Sequence, residues 1–199
     1  LVKEYFSTYG LRASDVTIDI RRNLTTMMNG APEPWTVSLI DTGLASLTGG
    51  RLKRVSAYLG GETFAMTYGD AVADIDIGAL VRFHRSHGKV ATITVHRLPS
   101  RFGVVELDGD MVTSFREKSK EDGPLINVGF YILEPAVMDY LEGDQTVWEQ
   151  GPLQNLARDG QLMAYRHEGF WHPMDTLRDK RALEAFWSQS QGAPWKIWK

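Results

Sequence analysis

Two aspartates that lie far apart in the sequence each stand where a ligand could be bound. Asp70 follows the short apolar run 63–67 (TFAMT), which is typical of a buried strand and stops at a Tyr-Gly-Asp turn. Open α/β sheets bind ligands just beyond the carboxyl ends of their strands. Asp175 stands where the aromatic run 170–174 gives way to a helix. Mg²⁺ prefers one or two carboxylates plus water and phosphate oxygens, so convergence of these aspartates would make a magnesium site for a phosphate-handling enzyme.

Each of these aspartates also has a simpler, local explanation. Asp70 could cap the helix that follows a Gly-Asp turn, and Asp175 could be the N-cap of its own helix. Asp74 and Asp76 lie close by and are interpreted as helix-start or solvated acids. The residues alone leave these alternatives open.

A phosphate-handling site also needs fixed cations, and Lys118 is the first candidate. It stands between two predicted strands, in a segment of mixed charge that is also typical of a solvated loop. Arg51, Lys53 and Arg54 are interpreted as a solvated helix face. The two glycines just before them would let backbone amides approach a ligand.

Three histidines complete the set of candidate polar residues. His84 and His87 are three residues apart on a predicted helix and face roughly the same way, but no third metal ligand is apparent. We interpret both as surface residues. His172 either supports Asp175 by hydrogen bonding or packs beside Trp171.

These candidates require an alternation of strands and helices to position them. Strands are predicted at 16–20, 36–41, 63–67, 90–95 and 126–133, with a hairpin formed by 102–107 and 111–115. Helices are predicted over 48–59, around 77–84, from Pro135 and over 152–158. The alternation indicates an α/β fold with a mixed, mostly parallel sheet.

The chain of 199 residues has no internal repeat, low-complexity segment or linker. This favours a single domain that spans residues 1–199, with a C-terminal elaboration at about 145–199. Leu1 stands where an initiator Met is expected, and 2–6 already resemble the middle of an amphipathic helix. We therefore expect a segment upstream of residue 1.

Composition narrows the class of partner. A formal net charge of -3 and a pI near 6.0 provide no general basic field, so a small-molecule ligand is favoured over a nucleic acid. The chain has no cysteine, which suits a reducing cytoplasm. No apolar run approaches 18 residues and no signal peptide is recognisable, so we predict a cytoplasmic protein without a membrane partner.

A series of motifs along essentially all 199 residues resembles the glucose-1-phosphate cytidylyltransferase family in order and spacing. Its members are Asp41-Thr42-Gly43, Thr48-Gly49-Gly50-Arg51-Leu52-Lys53-Arg54, Tyr68-Gly69-Asp70, Val72-Ala73-Asp74, Arg101-Phe102-Gly103, Glu117-Lys118, Ile126-Asn127, Gly129-Phe130, Trp148-Glu149-Gln150 and Pro173-Met174-Asp175-Thr176-Leu177-Arg178-Asp179-Lys180. Each motif alone is weak evidence, whereas the series is specific.

The resemblance implies a Rossmann-like nucleotidyltransferase that makes CDP-glucose and pyrophosphate from CTP and α-D-glucose 1-phosphate, with Mg²⁺ as cofactor. It further implies that Asp70 and Asp175 bind the metal and that Lys118 holds the sugar phosphate. The other implied substrate-binding residues are Thr48, Gly49 and Arg51 near the nucleotide, Tyr68 beside the metal, and Glu117, Asn127 and Gly129 at the glucose. A homo-oligomer that serves surface-polysaccharide biosynthesis is implied by the resemblance alone.

The sequence departs from the family pattern in several places. The glycine-rich nucleotide loop of the family, with its arginine and lysine, is expected upstream of residue 1, so we expect this polypeptide to be inactive alone. Ala71 and Val128 replace glycines and would crowd positions that need backbone freedom, and Ser119 replaces a proline beside Lys118.

Other functions stay open on the sequence. A thymidylyl- or uridylyltransferase is the nearest alternative, because the family reads the base largely with the upstream segment. A non-catalytic module that binds sugar phosphates or serves assembly is the alternative from another class.

Overall fold

The computed structural model describes residues 1–30, 33–98, 104–116, 123–189 and 192–198. These residues form two units, Leu1–Thr42 and Gly43–Lys199. The first holds two short helices and a hairpin, and the second holds a four-stranded sheet with helices on both faces. The single domain over 1–199, with its elaboration from about 145, stays a prediction.

In the first unit, two helices precede a hairpin. They are α1 (Val2–Ser7) and α2 (Tyr9–Arg12), followed by the antiparallel strands β1 (Asp15–Asp19) and β2 (Leu24–Met28). The turn between the strands contains Asn23 at φ 52°, a left-handed conformation that asparagine adopts more readily than most residues. β1 confirms the predicted strand at 16–20 to within one residue.

The strand predicted at 36–41 is wrong. In the described residues these positions pair with no strand, and the partner of β1 is β2, which the sequence did not predict. A strand exists only where its backbone N–H and C=O groups find a partner, so an extended, apolar run is not sufficient.

The second unit alternates helices and strands along the chain. Its elements are α3 (Thr48–Val55), β3 (Phe64–Thr67), β4 (Ala71–Ala73), α4 (Ile77–His87), β5 (Ala91–Arg97), β6 (Val104–Asp108), β7 (Met111–Arg116), β8 (Leu125–Leu133), α5 (Gly151–Arg158), β9 (Leu162–His167), β10 (Trp171–Pro173) and α6 (Leu177–Trp187), with 3₁₀ helices at Ser56–Tyr58 and Pro135–Tyr140. The predicted hairpin is confirmed as β6 and β7, and β4, β9 and β10 were not predicted.

The central sheet has the strand order β3-β8-β5-β9. β8 is antiparallel to both β3 and β5, and only β9 runs parallel to its neighbour β5. The predicted α/β class with a mixed sheet is confirmed. The parallel share in the described residues is smaller than the alternation predicted, because β8 follows the β6–β7 hairpin and enters between β3 and β5 in the opposite direction.

Both faces of β8 are buried, and each face packs against different helices. Tyr131 and Leu133 point to one face, where they join Leu52 of α3 and Leu156 of α5 in one core cluster. Ile132 points to the other face and joins Ile75 and Leu80 in a second cluster, beside α4. This alternation with a period of two residues explains why the run 125–133 is almost continuously apolar.

The helix boundaries follow local capping signals. Asp76 caps α4 by accepting a hydrogen bond from the Ala79 amide at 2.8 Å, which confirms its predicted role at a helix start. The N-cap of α6 is Thr176, which forms a capping box with Asp179, so the interpretation of Asp175 as the N-cap is wrong. None of the helices in the described ranges is long and apolar enough to cross a membrane.

The interpretation of His84 as a surface residue is wrong. Its side chain is 1% exposed, and its ring nitrogens lie 2.8 Å from Thr92 Oγ1 and 2.9 Å from Glu134 Oε1. His87 contacts the same threonine hydroxyl at 2.8 Å. The buried polar atoms of α4 therefore find partners on β5 and just beyond β8, which a sequence pattern cannot show.

Candidate functional site

The two predicted metal-binding aspartates lie at the same end of a small strand pair. β4 and β10 are antiparallel, with Pro173 opposite Ala71. One step further along, the Met174 amide donates to the Asp70 carbonyl oxygen at 2.7 Å. Asp70 and Asp175 therefore stand at the same end of the β4–β10 pair, although they are far apart in the sequence.

Both carboxylates are available to a ligand. Asp70 and Asp175 are exposed, and within the part of the chain that the structure describes neither side chain has a hydrogen-bond or ion-pair partner. The same described residues contain no group of three or more His, Cys, Asp or Glu that could hold a metal. Mg²⁺ is commonly bound by one or two carboxylates, while water and phosphate oxygens fill its other coordination positions. The two aspartates fit this pattern.

A polar network begins beside these aspartates, at Tyr68. Its hydroxyl donates a short hydrogen bond to Glu149 Oε1, and Thr48 Oγ1 donates to Glu149 Oε2 at 2.9 Å. The same threonine oxygen accepts from the Trp148 amide at 2.9 Å. Glu149 therefore joins the first residue of α3 to the residue that follows β3.

The network continues from Tyr68 into β8. The Tyr68 and Tyr131 hydroxyls lie 3.2 Å apart, and Asn127 Nδ2 donates to the Tyr131 hydroxyl at 2.5 Å. Burial raises the pKa of Tyr68 well above its usual value, and the hydrogen bond to Glu149 raises it further. Burial likewise raises the pKa of Tyr131. Both phenols therefore stay protonated and serve as hydrogen-bond donors near neutral pH.

Gly129 packs directly under the ring of Tyr68. Its φ of 81° lies in the left-handed region, and a Cβ at this position would come within 2.7 Å of Tyr68 Cδ2. The Gly129 amide donates to Asn127 Oδ1 at 2.9 Å, and its carbonyl oxygen accepts from the Tyr68 amide at 3.2 Å. The predicted glucose-binding residues Asn127 and Gly129 are therefore fixed against Tyr68.

The glycines at the start of α3 serve close packing in the described structure. The amides of Gly49 and Gly50 both donate to the Thr146 carbonyl oxygen, at 2.9 and 3.2 Å. A Cβ on Gly49 would come within 2.7 Å of Thr146 Cγ2, and one on Gly50 would overlap the backbone of Asp144. These two amides are thus occupied by protein rather than open to a ligand.

The basic residues of α3 are only partly the solvated face that the sequence indicated. Lys53 Nζ donates to the carbonyl oxygens of Leu141 and Glu142 at 2.5 and 3.1 Å. Arg54 forms a two-pronged ion pair with Asp144, at 2.7 and 2.5 Å. Arg51, predicted near the nucleotide, donates to the Leu44 carbonyl oxygen at 3.3 Å.

Several predicted site residues lie outside the described residues. They are Glu117 and Lys118, together with the neighbouring Ser119 and the Arg101-Phe102-Gly103 motif. Their roles stay predictions. Ala71 and Val128 are described, and among described residues other than glycine only Asn23 and Asn29 have a positive φ. The backbone at Ala71 and Val128 therefore does not need the freedom of glycine.

Asp74 is not the helix-start or solvated acid that the sequence indicated. Its Oδ1 accepts from the Phe170 amide at 2.7 Å and lies 3.0 Å from Nε2 of the buried His167. His172 stacks on Phe170, and its Nδ1 lies 2.7 Å from the Pro173 carbonyl oxygen. No described hydrogen bond joins His172 to Asp175.

Sequence reasoning missed two members of the network, Glu149 and Tyr131. In the sequence, Glu149 belongs to the Trp148-Glu149-Gln150 motif, and Tyr131 belongs to a strand that is predicted from its apolar residues. A tyrosine within a buried strand is itself a signal, because its hydroxyl must find a polar partner.

Most of the sequence that forms this part of the molecule matches a known family. The profile of the nucleotidyl transferase family matches residues 50–172, which include β3, β8 and all of the polar network except Thr48.

Individual relatives agree with the profile over a longer range. The chain is 51% identical to the glucose-1-phosphate cytidylyltransferase of Salmonella typhi over 200 aligned residues, which cover 100% of this chain and 77% of that protein. It is 40% identical to the probable glucose-1-phosphate cytidylyltransferase of Bacillus subtilis (strain 168), over 99% of this chain and 77% of that protein. The chain therefore belongs to the glucose-1-phosphate cytidylyltransferases within the nucleotidyl transferase family.

A solved structure supports the fold. UDP-glucose pyrophosphorylase in complex with UDP-glucose superposes with a TM-score of 0.54 at 18% identity, over 75% of this chain and 65% of that chain. At this identity the likeness bears on the fold alone, and the chain spans about two thirds of the solved protein's length.

Proposed function

We propose that this protein transfers the cytidylyl group of CTP to α-D-glucose 1-phosphate. An oxygen of the sugar phosphate attacks the α-phosphorus of CTP, the bond from that phosphorus to the bridging oxygen breaks, and pyrophosphate leaves. CDP-glucose is the other product. The observation that carries the proposal is the pairing of β4 with β10, which brings Asp70 and Asp175 to the same end of this strand pair.

Asp70 and Asp175 would hold Mg²⁺ in this reaction. When bound, the ion offsets negative charge on the phosphate oxygens. The role of the two carboxylates is to fix that charge at a single place, beyond the end of β3. Their exposure and their lack of described partners support this role, because a carboxylate already paired within the protein is a poorer ligand.

The polar network would orient the sugar and the nucleotide. Asn127 and Gly129 would contact the glucose, and Tyr68 would stand between them and the metal. Thr48, Gly49 and Arg51 would lie on the nucleotide side.

Support for these roles comes from the hydrogen bonds through Glu149 and Tyr131, which restrict the positions of Thr48, Tyr68 and Asn127 before any substrate arrives. Lys118 would hold the sugar phosphate and Glu117 the glucose.

The test is pyrophosphate release from CTP, α-D-glucose 1-phosphate and Mg²⁺. Two forms are assayed: this chain, and a chimaera that joins it to the part of the Salmonella typhi relative outside the alignment. We expect turnover with CTP in at least the chimaera. Asp70→Asn should lower the rate by at least about a hundredfold, since charge stabilisation by a catalytic metal is worth several kcal/mol. Asp139→Asn, an exposed aspartate of the Pro135–Tyr140 helix, is the matched control and should keep full activity.

The outcomes separate the alternatives. Faster turnover with dTTP or UTP than with CTP would replace the cytidylyl assignment by a thymidylyl or uridylyl one. No turnover in either form with any of these nucleotides would contradict enzymatic transfer and favour a sugar-phosphate-binding or assembly module. The cytoplasmic location, the homo-oligomer and the role in polysaccharide biosynthesis stay predictions.

A further inference from the structure

The turn that leads from β9 into β10 is clamped to Asp74. Asp74 Oδ1 accepts from the Phe170 amide at 2.7 Å, and the Asp74 amide donates to the Phe170 carbonyl oxygen at 3.2 Å. His167 Nε2 lies 3.0 Å from both Asp74 Oδ1 and the Phe170 carbonyl oxygen. We call Asp74, His167 and Phe170 the Asp74 clamp.

The clamp is tightly built. The His167 side chain is 8% exposed and that of Asp74 is 30% exposed, so water competes weakly for their contact. Gly169 lies against both: a Cβ there would overlap Asp74 Oδ1 and come within 2.8 Å of His167 Cε1. Glycine at 169 is therefore needed for close approach, which indicates a turn shaped around the carboxylate.

The clamp acts on the strand that carries Asp175. Phe170 directly precedes β10, whose Trp171 pairs with Ala73, the neighbour of Asp74. At the other end of this three-residue pair stand Asp70 and Met174. A strand pair this short has few hydrogen bonds of its own and is only marginally stable by itself, so an anchor at one end also restricts the other end.

The same strand also supports the proposed sugar side. Trp171 Nε1 donates to the Val128 carbonyl oxygen at 3.2 Å, between Asn127 and Gly129. A displacement of β10 would therefore disturb both parts of the site.

We propose that Asp74 is a positioning residue that sets the distance between Asp70 and Asp175 by holding β10 against β4. The inference rests on the proposed function for the identity of the site. Asp74 itself faces the β9–β10 turn, and its carboxylate is engaged by Phe170 and His167 rather than open to substrate.

The test measures metal binding and strand pairing separately. Mn²⁺ is titrated into the full chain, and binding is followed by loss of the free-ion EPR signal. Amide hydrogen exchange at 170–174 reports the β4–β10 pair without any metal. The variants are Asp74→Ala and His167→Ala, with Asp74→Asn to restore an acceptor oxygen. Glu134→Ala is the matched control, because it removes a carboxylate from another histidine in the same unit.

For Asp74→Ala we expect Mn²⁺ affinity to fall about tenfold, as is typical when residues that orient metal ligands are removed. Exchange at 170–174 should become faster. His167→Ala should show a smaller loss in both readouts, and it decides the question if circular dichroism shows that Asp74→Ala is unfolded. Asp74→Asn should lie near wild type, and Glu134→Ala should leave both readouts unchanged.

Unchanged exchange and unchanged Mn²⁺ affinity in a folded Asp74→Ala protein would overturn the positioning role. Equal losses in Glu134→Ala would also overturn it, since general destabilisation would then explain them. Faster exchange with unchanged affinity would reduce Asp74 to a structural residue. No Mn²⁺ binding by the wild-type chain would instead contradict the proposed metal site, and the exchange data would still report whether Asp74 holds β10.

Discussion

Two glutamate-centred networks lie at opposite ends of β3, and they differ in what they support. At the start of the strand, Glu134 accepts from Thr63 at 2.9 Å and contacts the buried His84. Just beyond its end, Glu149 accepts from Thr48 and Tyr68. Each glutamate thus joins a threonine hydroxyl to one further side chain.

The difference lies in what surrounds each glutamate. Glu134 contacts a histidine that is 1% exposed, so the pair satisfies a polar group within the core. Glu149 is exposed, and its partners are residues that the family resemblance places at the nucleotide and the metal. Similar hydrogen-bond chemistry therefore serves stability at one end of the strand and, under the proposed function, substrate orientation at the other.

Among variants that distinguish the two networks, Gly129→Ala, near Glu149, is expected to have the largest effect. The substitution strains a φ of 81° and pushes a methyl group into the Tyr68 ring, so we expect a loss of about 2–4 kcal/mol in the free energy of unfolding. Gly88→Ala is the control near His84: its φ is 62° with nothing within 4 Å, so about 1 kcal/mol is expected. Urea denaturation measures both, and equal losses would show that Tyr68 yields to the extra methyl group.

The two glutamates can be compared directly. Glu134→Gln should lower the free energy of unfolding by about 1–3 kcal/mol, because a buried histidine loses its charged partner. Glu149→Gln should change stability by less than about 1 kcal/mol, since the side chain is exposed. In the chimaera it should lower kcat/KM for pyrophosphate release about tenfold, while Glu134→Gln leaves kcat/KM unchanged. A larger stability loss in Glu149→Gln together with a larger loss of kcat/KM in Glu134→Gln would contradict this division of roles.

The smallest effect is a pH dependence confined to the Glu134 side. Burial alone would raise the pKa of Glu134, but hydrogen bonds from His84 and Thr63 outweigh it and hold the pKa below its usual value. A lowered folded-state pKa stabilises the fold above the unfolded-state pKa, about 4.3, and that stability is lost as the pH falls through the folded-state value. The stability difference between wild type and Glu134→Gln should therefore shrink below about pH 4.3. A constant difference in urea denaturation between pH 3 and pH 7 would contradict this assignment.

Elements with strong local signals could be predicted from the sequence. α4 has an aspartate cap at its start and the left-handed Gly88 at its end, and both signals lie within a few residues of the helix. The β6–β7 hairpin has its Asp-Gly-Asp turn. The three-residue strands β4 and β10 could not be predicted, because each is a strand only through its pairing with the other.

The residues of the candidate site likewise fall into those that the sequence could predict and those that it could not. Asp70 and Asp175 could be proposed from their positions after a strand and before a helix, and the family motifs singled out Thr48, Tyr68, Asn127 and Gly129. The contacts of Glu149 with Thr48 and Tyr68, and of Tyr131 with Tyr68, could not be assigned, because these partners lie on other elements. The sequence likewise predicts His84 at the surface, because its partners Thr92 and Glu134 lie outside its own helix.

Three features can be predicted from the chain alone: the residue types at the site, the α/β alternation and the order of motifs that marks the family. These features depend on local propensity and on side-chain chemistry, both of which are present in any stretch of chain. Three contacts become visible only in the folded unit: Asp70 meets the end of β10, Glu149 joins Thr48 to Tyr68, and Asp74 holds the β9–β10 turn. Those contacts join residues distant in sequence, so they form only when packing of the whole unit brings the strands into register.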